Sequence, residues 1–507
     1  MSRVPLRIGF VSVIRPAFRG ASVAAAEASL AGLAALGREL DFTTVVPALP
    51  SEERTAAGAP LPSFAVHDAA SAQRAALQLS DQDLDFLLVQ HTTFATGEVL
   101  TPLLQASERV GVWALPEGAQ GGDGQGPLPL NSLCGLNMTL SYLDSPHVNK
   151  RQPVRWYYGA VNSDWFVSRL ASTVAALRGL TALANARVLQ IGGVAPGFYG
   201  LEEELGLSGP TVHAAPLSQL LERVSAVNAA EAAALAAQQA QAEPADVNRE
   251  QLERSARIEL ALTALACEGD YDALAVRGWP EVPDVCGSMA CAAMGNLAAG
   301  DPAGGPAGGA TPGAVGDPVS APGRLPRPGV PAACEGDVAG ALSMLALQAM
   351  SGRSAVLLDL SDVDEAADEL LFWHCGNAPR EWAAGGASRL TTHFNRTGLG
   401  TVRDMVLAPG PVTGFRLVGQ AEALVMSGTF GAPERASYDG VRGWLGDLRW
   451  NGRRLGARAF VTNVLDLRLA HHFAFGRGDL TAALRELCEW LGRRPVAAAY
   501  DGGNELT

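Results

Sequence analysis

Lysine is almost missing from this chain: Lys150 is the single one, and every other residue among the 38 basic ones is arginine. The scarcity matches a composition rich in Arg, Ala and Gly. It leaves Schiff-base chemistry, which needs a lysine amine, one residue to rest on. Positive charge is short overall, with 38 basic against 52 acidic residues and a net charge of −14. That balance argues against a nucleic-acid binder or a protein of anionic membrane surfaces. No run of 18 uncharged apolar residues occurs, so no membrane span is expected. The N-terminus enters a strand-like segment, Arg7 to Ile14, without the long apolar core and small-residue cleavage site of a signal peptide. A cytoplasmic protein is expected. Seven cysteines are an odd number without C-x-x-C spacing, which excludes a disulfide framework and a structural zinc site of that type. There is no G-x-S-x-G elbow of an esterase. Aromatic residues are few at 6%, yet apolar residues reach 48%, so the chain is globular rather than disordered.

At 507 residues the chain has room for two to four domains. Short apolar runs at 7–14, 41–47, 84–90 and 109–114 alternate with Ala-rich helical segments such as 22–38. A second series runs through 187–193, 211–213 and 273–279, with helical periodicity at 217–227 and 250–267 and a surface helix at 228–243. Strand alternating with helix predicts parallel α/β sheets. After a helix at 336–351 the rhythm changes. Strand-like runs follow at 354–360, 369–374, 402–408, 412–419, 422–428 and 458–464, then a helix at 479–491 and a strand near 495–499. This predicts two Rossmann-like, doubly wound α/β domains (1–157 and 158–336) and a β-rich, barrel-like C-terminal domain (337–507). Residues 300–330 hold nine Gly and seven Pro in 31 positions, the composition of a surface insertion or a lid.

Only eight histidines occur. His374 ends a strand-like run in Phe-Trp-His-Cys-Gly. His471 and His472 are adjacent, and on a strand they would face opposite ways, so at most one would enter a given site. Glu335 precedes an apolar helix, where an acid favoured by the helix dipole is the plain structural reading, with Asp337 beside it. Asp359 follows Ser-Ala-Val-Leu-Leu at the end of a buried-looking strand, where a charge is costly unless paired or metal-bound. Two carboxylates with one or two imidazoles would suit Mn²⁺, Mg²⁺ or Co²⁺. The turn Ile191-Gly-Gly-Val-Ala-Pro-Gly-Phe-Tyr199 follows a strand but matches neither G-x-G-x-x-G nor a P-loop.

The chain resembles the L-fucose isomerases and their structural relatives, the L-arabinose isomerases. Pro331-Ala-Ala-Cys-Glu-Gly-Asp-Val338 carries the likeness most specifically, with Leu358-Asp-Leu360, Phe372-Trp-His-Cys-Gly-Asn-Ala-Pro379 and His471-His-Phe-Ala474. Ala275-Val-Arg-Gly-Trp-Pro-Glu281, Asn131 to Asn137 and Gly192 to Tyr199 extend it over nearly the whole chain. Gly278 stands where the family pattern has a cysteine. The resemblance implies a divalent metal, usually Mn²⁺, held by Glu335, Asp359 and His471 or His472, with His374 as the additional ligand of arabinose isomerases. It implies Glu335 and Asp359 as the acid–base pair, and Trp279 and Trp373 as substrate contacts. Arg15, in Ile-Arg-Pro, resembles a segment that approaches a neighbouring subunit's site in a homo-trimer or hexamer. The activity implied is aldose–ketose isomerisation of a small-molecule sugar through a cis-enediolate. Alternatives are an isomerase of a modified hexose (sulfonated or deoxy) and a non-catalytic sugar-binding homologue. Two acid–base groups exceed what binding alone needs.

Overall fold

The computed structural model describes residues 5–18, 22–50, 53–56, 58–117, 128–148, 153–299, 329–435 and 438–500. Lys150 and 300–328 of the Gly/Pro-rich segment lie outside these. By compactness the chain falls into two units, Met1–Leu177 and Arg178–Thr507.

The first unit is built on six strands, β1 (Leu6–Val13), β2 (Phe42–Val45), β3 (Ala65–Val66), β4 (Phe86–His91), β5 (Val110–Ala114) and β6 (Arg155–Tyr158). All pairings are parallel, in the order β2-β1-β4-β5-β6 with β3 beside β1. The intervening helices are α1 (Ser22–Leu40), α2 (Ala69–Ser80), α3 (Gly97–Gln105), α4 (Ser132–Ser141) and α5 (Asp164–Ala184). Strands β4 and β5 are buried along their whole length, as parallel strands between helix layers require.

The second unit opens with a four-stranded parallel sheet of β7 (Arg187–Ile191), β8 (Thr211–Ala215), β9 (Ala273–Val276) and β10 (Ala332–Ala333), in the order β10-β9-β7-β8. Helices α6 (Leu217–Ala226), α7 (Ala229–Ala242), α8 (Arg249–Glu268), α9 (Glu281–Cys286), α10 (Cys291–Ala299) and α11 (Val338–Ser351) accompany it. The remainder is a largely antiparallel sheet of β11 (Val356–Asp364), β12 (Glu369–His374), β13 (Ala383–His393), β14 (Arg396–Leu407), β15 (Gly410–Val418), β16 (Glu422–Phe430), β17 (Val441–Trp450), β18 (Arg453–Arg454), β19 (His472–Arg477) and β20 (Arg494–Pro495), with α12 (Ala457–Asp466) and α13 (Thr481–Trp490). Because β16 pairs with β17 as well as β15, the path β17-β12-β11-β19-β15-β16 closes on itself. Leu358, Phe372, Phe473 and Phe475 fill its core, the Phe372 and Phe475 rings meeting edge-on at 4.8 Å.

The expected α/β organisation with a barrel-like C-terminal part is the observed one. Two local expectations fail. The segment 458–464 is helical, because its buried residues Ala457, Phe460 and Val464 recur at helical spacing; a short apolar run alone does not separate helix from strand. At 495–499 only Arg494–Pro495 pairs, in parallel with β16.

A buried polar cluster ties α7, α8 and α10 to β14. Arg403, 1% exposed, donates to Glu243 at 2.5 Å, to Asn296 Oδ1 at 2.7 Å and to the Ala378 carbonyl. Beside it the buried Glu259 accepts from Gln239 Nε2 at 2.6 Å and Asn296 Nδ2 at 2.7 Å, both on Oε2. Burial lifts the Glu259 carboxyl from 4.5 to about 7, against the pull of these bonds and of Arg403. A raised acid pKa costs stability as pH climbs through that window, because the unfolded chain ionises first. Glu259→Gln keeps an oxygen for both donors. It is expected to match the wild type at pH 4, gain on it by up to ~3 kcal/mol at pH 8, and show a flatter profile of denaturation midpoint against pH. A profile with the wild-type slope would count against this.

Candidate active site

Strand register assembles one wall of the site. Asp359 on β11 lies opposite His472 on β19 and opposite Trp373 on β12. Their neighbours Leu358, Phe473 and Phe372 point into the barrel core, so strand alternation turns Asp359, His472 and Trp373 to the other face. Just after Asp359 the β11–β12 register shifts by a bulge between Leu360 and Asp362, a device that re-aims side chains beside active sites.

Glu335 reaches the same place from a short 3-10 turn, Cys334–Gly336, with its backbone in the left-handed region at φ 53°. A non-glycine residue holds that conformation only when its surroundings impose it. Here the glycine-rich turn after β7 does so. Ala195 N–H donates to the Glu335 carbonyl at 2.9 Å, and Gln190 Nε2 donates to the Gly336 carbonyl at 3.0 Å. Gly336 sits at φ 78°, and a Cβ there would strike the Gly193 carbonyl. The turn at 191–199 is thus a brace for Glu335. The N-cap of α11 is Asp337, which accepts from Gly340 N–H at 2.8 Å, so the capping role falls to Asp337 and leaves Glu335 free.

His472 Nε2 lies 2.8 Å from Glu335 Oε2 and 3.5 Å from Asp359 Oδ1. Both carboxylate oxygens are buried, and neither gains an aligned hydrogen bond. The two buried acids thus crowd a single imidazole nitrogen, an arrangement expected where a cation belongs. On the far side of the ring, Nδ1 is 2.9 Å from Asp337 Oδ2, which also accepts from Arg416 Nη1 at 2.9 Å. Arg416 Nη2 continues to Glu203 Oε1 at 2.7 Å. Asp337 fixes the ring with Nδ1 as donor and aims Nε2 at the two acids, the arrangement that orients metal-binding histidines. Burial opposes charge on Asp337, but Arg416 and His472 outweigh it and hold the carboxyl below its usual range. Burial likewise pulls His472 down, and the Asp337 and Glu335 carboxylates outweigh it, lifting the imidazole to about 10. Asp359 is pushed up to about 6, chiefly by burial, with His374 and His472 opposing.

His471 precedes β19 rather than sitting on it. It therefore escapes strand alternation, and the expectation that only one of the pair could enter the site gives way. Glu335, His471 and His472 each offer a ligand atom, all within 4.8 Å of one another. Asp359 adjoins this group through His472. Burial and the neighbouring His472 depress His471 to about 4, keeping it neutral. His374 lines the same cavity, its ring centre 6.2 Å from that of His472 and its Nδ1 3.6 Å from Cys375 Sγ.

The cavity encloses about 340 Å³, enough for a monosaccharide-sized ligand. Trp279 and Trp373 line it. Trp279 stacks on His393, ring centres 6.5 Å apart and planes at 19°, and carries the Arg396 guanidinium 4.1 Å from its ring centre. Trp373 Nε1 donates to the Asp439 carbonyl at 2.6 Å, and its ring meets Phe394 edge-on. His393, Phe394 and Asn395, from the β13–β14 turn, complete this side. No sequence motif marks them, because a hairpin tip is brought here only by the fold. Arg15 belongs to the first unit, where it follows β1 and its backbone N–H donates to Thr93 Oγ1 at 2.8 Å. Among the described residues no helix is long and apolar enough to cross a membrane.

No family model matches the chain. It is 26% identical over 415 residues to sulfoquinovose isomerase of Priestia aryabhattai and to that of Priestia megaterium, covering 80% of this chain and 83% of each relative. Sulfoquinovose isomerase of Alkalicoccus urumqiensis is 27% identical over 417 residues, covering 80% and 84%. These likenesses, on a fold of parallel α/β sheets and a closed β-sheet, make the chain an aldose–ketose sugar isomerase. Its Cys334-Glu-Gly-Asp337 and Phe372-Trp-His-Cys375 segments resemble the motifs of the L-fucose isomerase-like family.

Asp337→Asn should leave the fold and the Nδ1 contact near in shape but remove the charge that orients His472. Losses of 10–100-fold in metal affinity or activity are expected for such an outer partner. A lower melting temperature should accompany them, since Arg416 loses a buried counter-charge. Metal titration and thermal melts on the same preparation check both; unchanged metal affinity would remove Asp337 from the site.

Proposed function

We propose that this protein interconverts a sulfonated aldohexose and its 2-ketose, aided by a divalent cation, preferably Mn²⁺, with Mg²⁺ and Co²⁺ as substitutes. The observation that carries the proposal is the convergence of the buried Glu335 and Asp359 oxygens on one nitrogen of a His472 whose ring Asp337 has fixed. Carboxylate oxygen and imidazole nitrogen without thiolate are the donors these cations prefer, so the residues fit such an ion. Glu335, Asp359 and His472 would hold it, with His471 or His374 as further ligands. When bound, the cation supplies a Lewis acid that polarises the sugar carbonyl and favours the developing enediolate.

The chain's own groups move the protons. Glu335 and Asp359 face the same space, and an open-chain aldose between them presents its C2 hydrogen to one and its O1 to the other. One carboxylate removes the C2 proton and returns it to C1, while the other helps move the O2 proton to O1, so that the enediolate closes to the ketose. Trp279 and Trp373 give the sugar apolar faces to rest on. The cavity wall limits water around the enediolate, which would otherwise be protonated from solvent. The sulfonated substrate is favoured because the relatives, alike over four-fifths of the chain, are named for sulfoquinovose. Arg15 we assign to a neighbouring subunit's site in a homo-oligomer.

The test is to purify the protein with Mn²⁺, measure bound metal, and assay interconversion of sulfoquinovose beside unmodified aldoses including L-fucose and L-arabinose. Sulfoquinovose turnover with roughly stoichiometric metal is expected. For Glu335→Gln, a loss on the order of 10²–10⁴-fold in kcat with reduced bound metal is expected in a folded protein. Turnover of an unmodified aldose alone would overturn the substrate, and full activity after chelation would overturn the metal.

A further inference from the structure

The function above uses no cysteine, yet three thiols, Cys291, Cys334 and Cys375, border the same cavity. All seven cysteines of the chain are unbridged. Cys291 opens α10, Cys334 begins the turn that carries Glu335, and Cys375 directly follows β12. Their sequence spacing gives no hint that they meet: 84 residues separate Cys291 from Cys375. In the fold the Cys291 and Cys375 sulfurs are 3.3 Å apart. A disulfide needs about 2.05 Å, so closure asks for a movement on the order of 1 Å.

The three are not equivalent. Cys334 is buried, and its sulfur accepts from Asn377 Nδ2 at 3.3 Å while the same amide donates to the Ala332 carbonyl at 2.7 Å. That bond holds Cys334 in place. Cys291 is 5% exposed and shielded from direct attack. Cys375 is partly exposed on the cavity wall, and a small reagent entering the cavity meets it first. The geometry points to a Cys291–Cys375 modification site, at which a low-molecular-weight disulfide entering the sugar cavity converts the two thiols into a reversible cross-link.

The exchange balances without a further oxidant. The Cys375 sulfur, losing its proton, attacks one sulfur of the reagent RSSR, and the S–S bond breaks to release RSH, which takes up that proton. The Cys291 sulfur then attacks the Cys375 sulfur of the mixed disulfide, and the second RSH leaves with the Cys291 proton. Two protein thiols are oxidised by two electrons, and one reagent disulfide is reduced to two thiols. The product ties the first turn of α10 to the end of β12, beside His374, and places a bridge in the wall against which the sugar would lie.

Incubating the folded full chain with bis(2-hydroxyethyl) disulfide, then alkylating free thiols and mapping peptides by mass spectrometry, tests this. Two of the seven thiols should disappear, one peptide pair should link Cys291 to Cys375, and dithiothreitol should restore both. Cys291→Ser should halt at the hydroxyethylthio adduct on Cys375, since no resolving thiol remains. Alkylatable Cys291 and Cys375 after incubation, or a cross-link that includes Cys334, in protein with an unchanged far-UV circular dichroism spectrum would overturn the assignment. The map of the wild-type chain decides the matter even where the variant does not fold. Because the readout is mass and not turnover, it stands or falls apart from the isomerase substrate.

Discussion

The buried carboxylate of Asp337 is the interaction on which the site depends. It is fully enclosed, and its counter-ion Arg416 is 1% exposed. A charge in that position is tolerated only with close partners, and Asp337 has three: the Arg416 guanidinium, the His472 ring and the first turn of α11. Each belongs to a different element, β15, β19 and α11. One acid therefore caps a helix, joins that helix to two strands of the closed sheet, and orients the ring of the histidine that faces Glu335 and Asp359. Glu203 at the outer end of Arg416 extends the alternation of charge, so no member is left unpaired.

Around that centre the chain uses two unlike devices to deliver two similar acids. Asp359 comes from a regular strand, and its direction follows from antiparallel pairing with His472 and Trp373. Glu335 comes from a strained turn outside any regular element, held at positive φ by hydrogen bonds from Gln190 on β7 and from Ala195 in the glycine-rich segment after it. A strand position is rigid because its neighbours are hydrogen-bonded on both sides. A turn position acquires comparable rigidity only when other segments grip its backbone, as Ala195 and Gln190 do here. The two carboxylates consequently share a cavity without sharing a support.

Much of the architecture was legible along the chain. Alternation of apolar runs with Ala-rich helices marked the parallel sheets, and the loss of that rhythm after residue 340 marked the antiparallel one. The segment 458–464 was misread because a short apolar run satisfies both periods. The adjacency of His471 and His472 misled for a different reason: strand alternation separates neighbours, but β19 begins at His472, so His471 is released from the rule. Asp337 was visible as a helix-start acid. Its larger role was not, since Arg416 is 79 residues away and His472 is 135.

By itself the sequence determined the class of chemistry on offer: no amine for imine formation beyond Lys150, no thiolate zinc motif, no nucleophile elbow, and a Cys-Glu-Gly-Asp segment shared with sugar isomerases. It also determined the elements, because hydrophobic period and capping act over a few residues. The tertiary structure alone decided which groups meet. Strand register set Asp359 against His472, the β13–β14 turn brought His393 and Phe394 to Trp279, and Cys291 came to rest on Cys375. Local propensity reaches one turn of helix or one pair of strands. Contacts between residues a hundred positions apart arise only when burial of the apolar faces closes the sheet and stacks α10 and α11 against it.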